Sequence, residues 1–146
     1  YGMDENFPEE LEIAIDFDGT CVTHEFPNIG KEIGAAPVLR ELERNGHQLI
    51  LWTMRSDGQQ NPDVLKEAID WFIDNKIPLY SVNSNPTQNQ WTKSPKQYAQ
   101  LYIDDAALGC PLIYDSEISG RPFADWDKIR NLLIQQWIVE GVTTSG

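Results

Sequence analysis

Apolar residues along this chain fall into two alternating rhythms. The first is a short, nearly unbroken run, seen at Glu12–Phe17, His47–Thr53, Leu79–Val82 and Gln100–Ile103. Runs of that length bounded by turn residues predict strands, and His47–Thr53 has the composition of a strand buried on both faces. The second rhythm repeats every three to four residues. Val38, Leu39 and Leu42 carry it over Ala36–Asn45, where Asn45-Gly46 closes the helix with a left-handed cap. Val64, Leu65, Ala68, Ile69, Phe72 and Ile73 carry it again. That helix is expected to open with Asn61 as N-cap and Pro62 in the first turn, and to stop at Pro78. Asn83–Thr92 reads as polar turns, Pro95–Ala99 as a short helix and Pro111–Tyr114 as a fifth, edge-like strand. Asp125 then caps a last helix whose apolar face holds Trp126, Ile129, Leu132, Leu133, Trp137 and Ile138. Strands alternating with helices predict an α/β domain, a doubly wound, Rossmann-like parallel sheet with helices on both faces.

Length and composition narrow the picture without changing it. With 146 residues, 40% of them hydrophobic, the chain suits one domain with a real core, expected over residues 11–140. Residues 1–10 read as an N-terminal extension, with Tyr1-Gly2 ahead of Met3 as an expression scar, and 141–146 as a flexible tail. No apolar run is long enough to span a membrane, and the first residues lack the basic and apolar regions of a signal peptide. The two cysteines, Cys21 and Cys110, are too few for a secreted disulfide scaffold, so reduced thiols and a cytoplasmic location are expected. A net charge of −12, from 23 acidic against 11 basic residues, argues against electrostatic capture of nucleic acid.

Candidate chemistry gathers where the predicted strands end. In a doubly wound sheet, ligands bind outside the carboxyl ends of the strands. Asp16 and Asp18 follow the first strand, Thr53 the second, and Asp104 and Asp105 the fourth, with Lys96 eight residues before Asp104. Carboxylates at a sheet rim are costly unless a cation or hydrogen-bond donors compensate them. A cation held at this rim is therefore expected.

Four segments in this order resemble the motifs of the haloacid dehalogenase-like hydrolase superfamily. They are Asp16-Phe17-Asp18-Gly19-Thr20, Leu51-Trp52-Thr53, Lys96, and Tyr102-Ile103-Asp104-Asp105. The resemblance implies a Mg²⁺-dependent phosphomonoester hydrolase in which Asp16 is the nucleophile and a metal ligand. Asp18 would be the general acid and base, its backbone carbonyl also touching the metal. Thr53 and Lys96 would bind the phosphoryl group, Lys96 also pairing with Asp16. Of the adjacent acids, the resemblance favours Asp105 as the direct ligand, with Asp104 behind it, since neighbours on a strand point opposite ways. A proton donor at Asp18 favours phosphoryl transfer over dehalogenation, because a halide leaves without a proton. Neither insertion point is long enough for a separate cap domain; residues 21–34 fit a small β-flap with its tip at Phe26–Gly30. An open site of this kind resembles phosphatases of bulky substrates, and the identity of the phosphorylated substrate and the oligomeric state stay open.

Other readings compete at single residues. Asp-Phe-Asp-Gly resembles the start of an EF-hand loop, but Cys21 and Pro27 stand where that loop needs Gly and Glu. A receiver-like phospho-acceptor would carry its acceptor Asp on the third strand, which here runs into Asn83. An inactive phosphate-binding module keeping the same site is the remaining alternative. Arg55 is a candidate clamp for a second anionic group of the substrate. Lys93 is the rival of Lys96. His24 and His47 read as surface or packing residues, Cys21 as a small buried residue, Trp71, Trp126 and Trp137 as core, and Trp91 as a substrate-facing aromatic.

Overall fold

The computed structural model describes residues 10–57 and 63–141. Its centre is a four-stranded parallel sheet in the order β3-β2-β1-β4, with β1 at Glu12–Ile15, β2 at Gln48–Leu51, β3 at Ser81–Val82 and β4 at Leu101–Ile103. The register pairs Ile15 with Leu51 on one side and with Ile103 on the other, so the carboxyl ends of β1, β2 and β4 are level. The α/β, Rossmann-like class is therefore the observed one.

Helix α1 (Ala35–Arg44) links β1 to β2 and α2 (Val64–Asp74) links β2 to β3. Right-handed crossovers running the same way along a sheet lie on one face. Leu39 and Leu42 of α1 and Phe72 of α2 accordingly share a core with Ile13, Ile15, Leu49 and Leu51. Helix α3 (Trp126–Gln135) joins that layer through Ile129 and Leu133, and its Arg130 pairs with Glu41 of α1 at 2.8 Å. The connection from β3 to β4 runs in the opposite direction and so covers the other face. Among the described residues that face carries no α-helix, contrary to the sequence expectation. Residues 83–100 form irregular loops with a single 3-10 turn at Gln88–Gln90, and Pro95–Ala99 is not helical. The reason is compositional, because the segment has no apolar stripe to bury against the sheet. Side-chain amides do the work of a backbone ladder instead. Gln88 donates to the carbonyls of Ser94 and Lys96 and accepts from the Tyr98 amide, while Asn85 donates to the Tyr98 carbonyl.

Other local departures have local causes. Asp63, not Asn61, caps α2 by accepting from the Lys66 amide at 3.1 Å; Asn61 and Pro62 lie outside the described residues. The Ile73 end of the stripe is exposed, and α2 stops at Asp74, before Pro78. Gly46 takes φ +92° after α1, as its predicted role requires. Asp125 caps α3 through the Lys128 amide, but the helix ends at Gln135, leaving Trp137 exposed and Leu132 partly so. The expected fifth strand is real but pairs elsewhere: β5 (Leu112–Ile113) and β6 (Phe123–Ala124) form a separate antiparallel ribbon. No helix among the described residues is long and apolar enough to cross a membrane.

Candidate functional site

Asp16 stands one residue beyond β1, its amide donating to the Ile103 carbonyl at 3.0 Å. That bond sets it beside Asp104 and Asp105, the first residues after β4. The three carboxylates each place an oxygen within 4.8 Å of the others. Two like charges about 4 Å apart repel by roughly 4 kcal/mol near a protein surface. Burial first, and the charge of Asp104 next, push the Asp16 carboxyl up from 3.8 to about 8; the Thr20 hydroxyl pulls the other way. Among the described residues no lysine or arginine pairs with Asp16 or Asp104. The donor set is all oxygen and anionic, which fits a hard divalent cation.

Thr20 sits in the middle, fully buried. Its hydroxyl lies 2.9 Å from Asp16 Oδ2 and 3.0 Å from Asp105 Oδ1, and it accepts the Asp105 amide at 2.9 Å. One hydroxyl proton serves only one of the two carboxylates at a time. Trp126 Nε1 donates to the Thr20 carbonyl at 2.6 Å and the Ala124 amide to Gly19, so the ribbon and α3 brace this loop. Asp104 and Asp105 both face Asp16 because they lie beyond the strand, in a turn where alternation no longer applies. Asp104 Oδ1 accepts the Ala106 amide, leaving its second oxygen uncommitted, whereas Asp105 is engaged at both.

Asp18 turns away from this cluster. Arg55 grips it with Nε at 2.9 Å from Oδ2 and Nη2 at 2.8 Å from Oδ1. The remaining guanidinium protons go to the carbonyls of Pro27, Val64 and Asn28, and the group lies 5.1 Å from the ring centres of both Phe17 and Phe26. All five of its N–H groups are thereby used. Arg55, only 2% exposed, is a staple that holds the tip of the 21–34 loop against Asp18, and the expected substrate clamp is corrected accordingly. The expected β-flap is a compact loop with isolated bridges at Val22 rather than paired strands.

Thr53 follows β2 as expected. Its amide donates to Asn83 Oδ1 at 2.7 Å and its hydroxyl accepts the Arg55 amide at 3.1 Å, which leaves the hydroxyl proton free for a ligand. Among the described residues Lys96 forms no ion pair; its ammonium lies 5.7 Å from the Tyr102 ring centre, so the expected contact with Asp16 is not made. Trp91 is exposed and packs edge-on against Tyr98. Burial pushes the Cys21 thiol well above its ordinary range, with Asp16 and Asp18 adding to the shift, as suits an inert core residue.

His24 is the residue that pattern reading misses. Its Nε2 lies 2.8 Å from Asp105 Oδ2, across 81 positions of sequence. Gly19 makes this possible: at φ +87°, a Cβ there would overlap the imidazole and crowd Asp105. No spacing rule predicts such a pairing. His47, by contrast, is the expected packing residue, accepting the Leu11 amide at Nδ1 and donating from Nε2 to the Ile138 carbonyl.

No family model and no curated protein matches the chain. Among solved structures it is similar to a conserved protein from Bacteroides thetaiotaomicron, with 35% identity and a TM-score of 0.68. The alignment covers 88% of this chain and 93% of that one. Identity at that level across nearly the whole of both chains goes beyond a shared fold, and this chain belongs to the same family as that conserved Bacteroides protein.

Proposed function

We propose that the protein is a Mg²⁺-dependent phosphomonoester hydrolase that works through an aspartyl-phosphate on Asp16. The observation that carries this reading is the convergence of Asp16, Asp104 and Asp105 at the carboxyl edge of β1 and β4, with the Asp16 carboxyl pushed up to about 8. The ordered resemblance to haloacid dehalogenase-like motifs supports it. Asp16, Asp104 and Asp105 would hold the ion, which when bound neutralises carboxylate and phosphoryl charge. A carboxylate oxygen of Asp16 attacks phosphorus, the ester oxygen leaves, and water later cleaves the acyl phosphate. Thr53 donates its free hydroxyl proton to a phosphoryl oxygen, and Lys96, paired with no carboxylate among the described residues, adds positive charge. Asp18 gives a proton to the leaving oxygen and takes one from the attacking water. For that it must release one oxygen from Arg55.

The same lock on Asp18 favours a second reading, a phospho-acceptor whose aspartyl-phosphate is made readily and broken slowly. Turnover separates the two. Steady phosphate release from p-nitrophenyl phosphate with Mg²⁺, abolished in Asp16→Asn, supports the hydrolase. A single stoichiometric burst supports the acceptor. Neither steady release nor burst sinks both.

A further inference from the structure

We infer that Asn83 is a positioning residue for phosphoryl binding: it holds the Thr53 backbone so that the Thr53 hydroxyl proton stays available to the ligand. The inference rests on the phosphatase reading for the identity of that ligand, a phosphoryl group; the positioning itself rests on hydrogen bonds.

Strand β3 pairs with β2 through Ser81–Ile50 and Val82–Leu51. One further rung follows, in which the Asn83 amide donates to the Leu51 carbonyl at 2.7 Å. In a continuing parallel ladder the Thr53 amide would then donate to the Asn83 carbonyl. Here the side chain of Asn83 takes that place, its Oδ1 accepting the Thr53 amide at 2.7 Å. A backbone N–H only donates, so this bond fixes which end of the side chain is the oxygen. The exchange follows from conformation. Asn83 sits at φ +57°, where a strand cannot continue, and asparagine is among the few residues that enter that region readily. The third strand therefore stops, while its neighbour is still held past its own end.

That hold matters because packing does not supply it. Met54, the next residue, is 98% exposed. Thr53 is instead bonded on two sides, its amide to Asn83 and its hydroxyl oxygen to the Arg55 amide at 3.1 Å. With both committed, only the hydroxyl proton remains to turn toward a ligand. A chain of hydrogen bonds thus runs from Asn83 through Thr53 and Arg55 to Asp18. The position makes two demands on residue 83: a left-handed backbone and a side-chain acceptor. Glycine meets the first alone, and aspartate meets both.

Two measurements on the full chain test this, and neither variant at residue 83 strains the turn. In the first, hydrogen exchange of the Thr53 amide should be slow in the parent and in Asn83→Asp, and about tenfold faster in Asn83→Gly, the effect of losing one hydrogen bond. Equal rates in the parent and Asn83→Gly overturn the inference. In the second, inorganic phosphate is titrated calorimetrically at saturating Mg²⁺. Its Kd should rise about tenfold in Asn83→Gly and in Thr53→Val, and the double variant should bind no worse than Thr53→Val alone. Additive losses overturn the inference, because Asn83 would then touch the phosphate itself; so does a parent chain that binds no phosphate. Turnover of p-nitrophenyl phosphate with kcat/KM unmoved in Asn83→Gly overturns the inference and spares the phosphatase. Phosphate binding that depends on Asn83 through Thr53, without turnover of p-nitrophenyl phosphate, supports the inference and sinks the phosphatase.

Discussion

Asp16 and Asp18 leave the same strand two residues apart, and the fold treats them in opposite ways. Asp16 is drawn among other carboxylates, with a hydroxyl for relief and no cation, so its charge is costly. Asp18 is given a buried guanidinium that binds both its oxygens. A carboxylate held at both oxygens by a fixed guanidinium must give up one of those bonds before it can move a proton. One left uncompensated is free to take a metal and a phosphoryl group. The difference lies in partners and not in burial alone, since Asp18 has only 19% of its side chain exposed.

The sharpest way to break this contrast is Asp16→Asn. Phosphate release should fall at least a thousandfold, roughly 4 kcal/mol of barrier. The metal-free protein should meanwhile melt at a higher temperature, because a repelled charge has been removed. Arg55→Met should act on the other carboxylate and lower the unfolding free energy by about 3–5 kcal/mol in urea denaturation, since it strands a partly buried Asp18. Adding Asp18→Asn to that variant should recover part of the loss.

A smaller effect follows from pH. The folded Asp16 carboxyl is raised from 3.8 to about 8, so its contribution to stability is complete below pH 4 and is lost as pH rises through about 8. Thermal melts without divalent ion should therefore show stability declining from about pH 4 to pH 8. Saturating Mg²⁺ should flatten that decline, because the ion binds the ionised form. The smallest expected effect is at His24. His24→Ala should weaken Mg²⁺ binding about tenfold in calorimetry, by freeing Asp105 from its outer partner. Tighter binding would mean that the imidazole competes for the carboxylate.

Much of the site was legible because its signals are local. A strand ending in Asp, a terminal Thr and an acidic pair each declare themselves within a few residues, and a parallel sheet brings such ends together whatever the loops do. Arg55 misled for the same reason: two residues past Thr53 it reads as a loop cation aimed at substrate. Its partners come from residues 18, 27, 28 and 64, which no window of sequence joins. Residues 83–100 misled differently. Helix prediction needs an apolar stripe, and here glutamine and asparagine side chains supply the hydrogen bonds that a helix would have made for itself.

By itself, the order of apolar runs and stripes determined the parallel sheet, the strand that each candidate acid follows and the class of ion such acids would suit. These depend on side-chain periodicity and on chain direction, both written residue by residue. Only the tertiary structure decided which acid stays uncompensated, that His24 reaches Asp105, and that Gln88 and Asn85 hold the 83–100 loop together. Those outcomes turn on contacts between segments far apart in the chain, and distance along the chain carries no information about them until the sheet has closed.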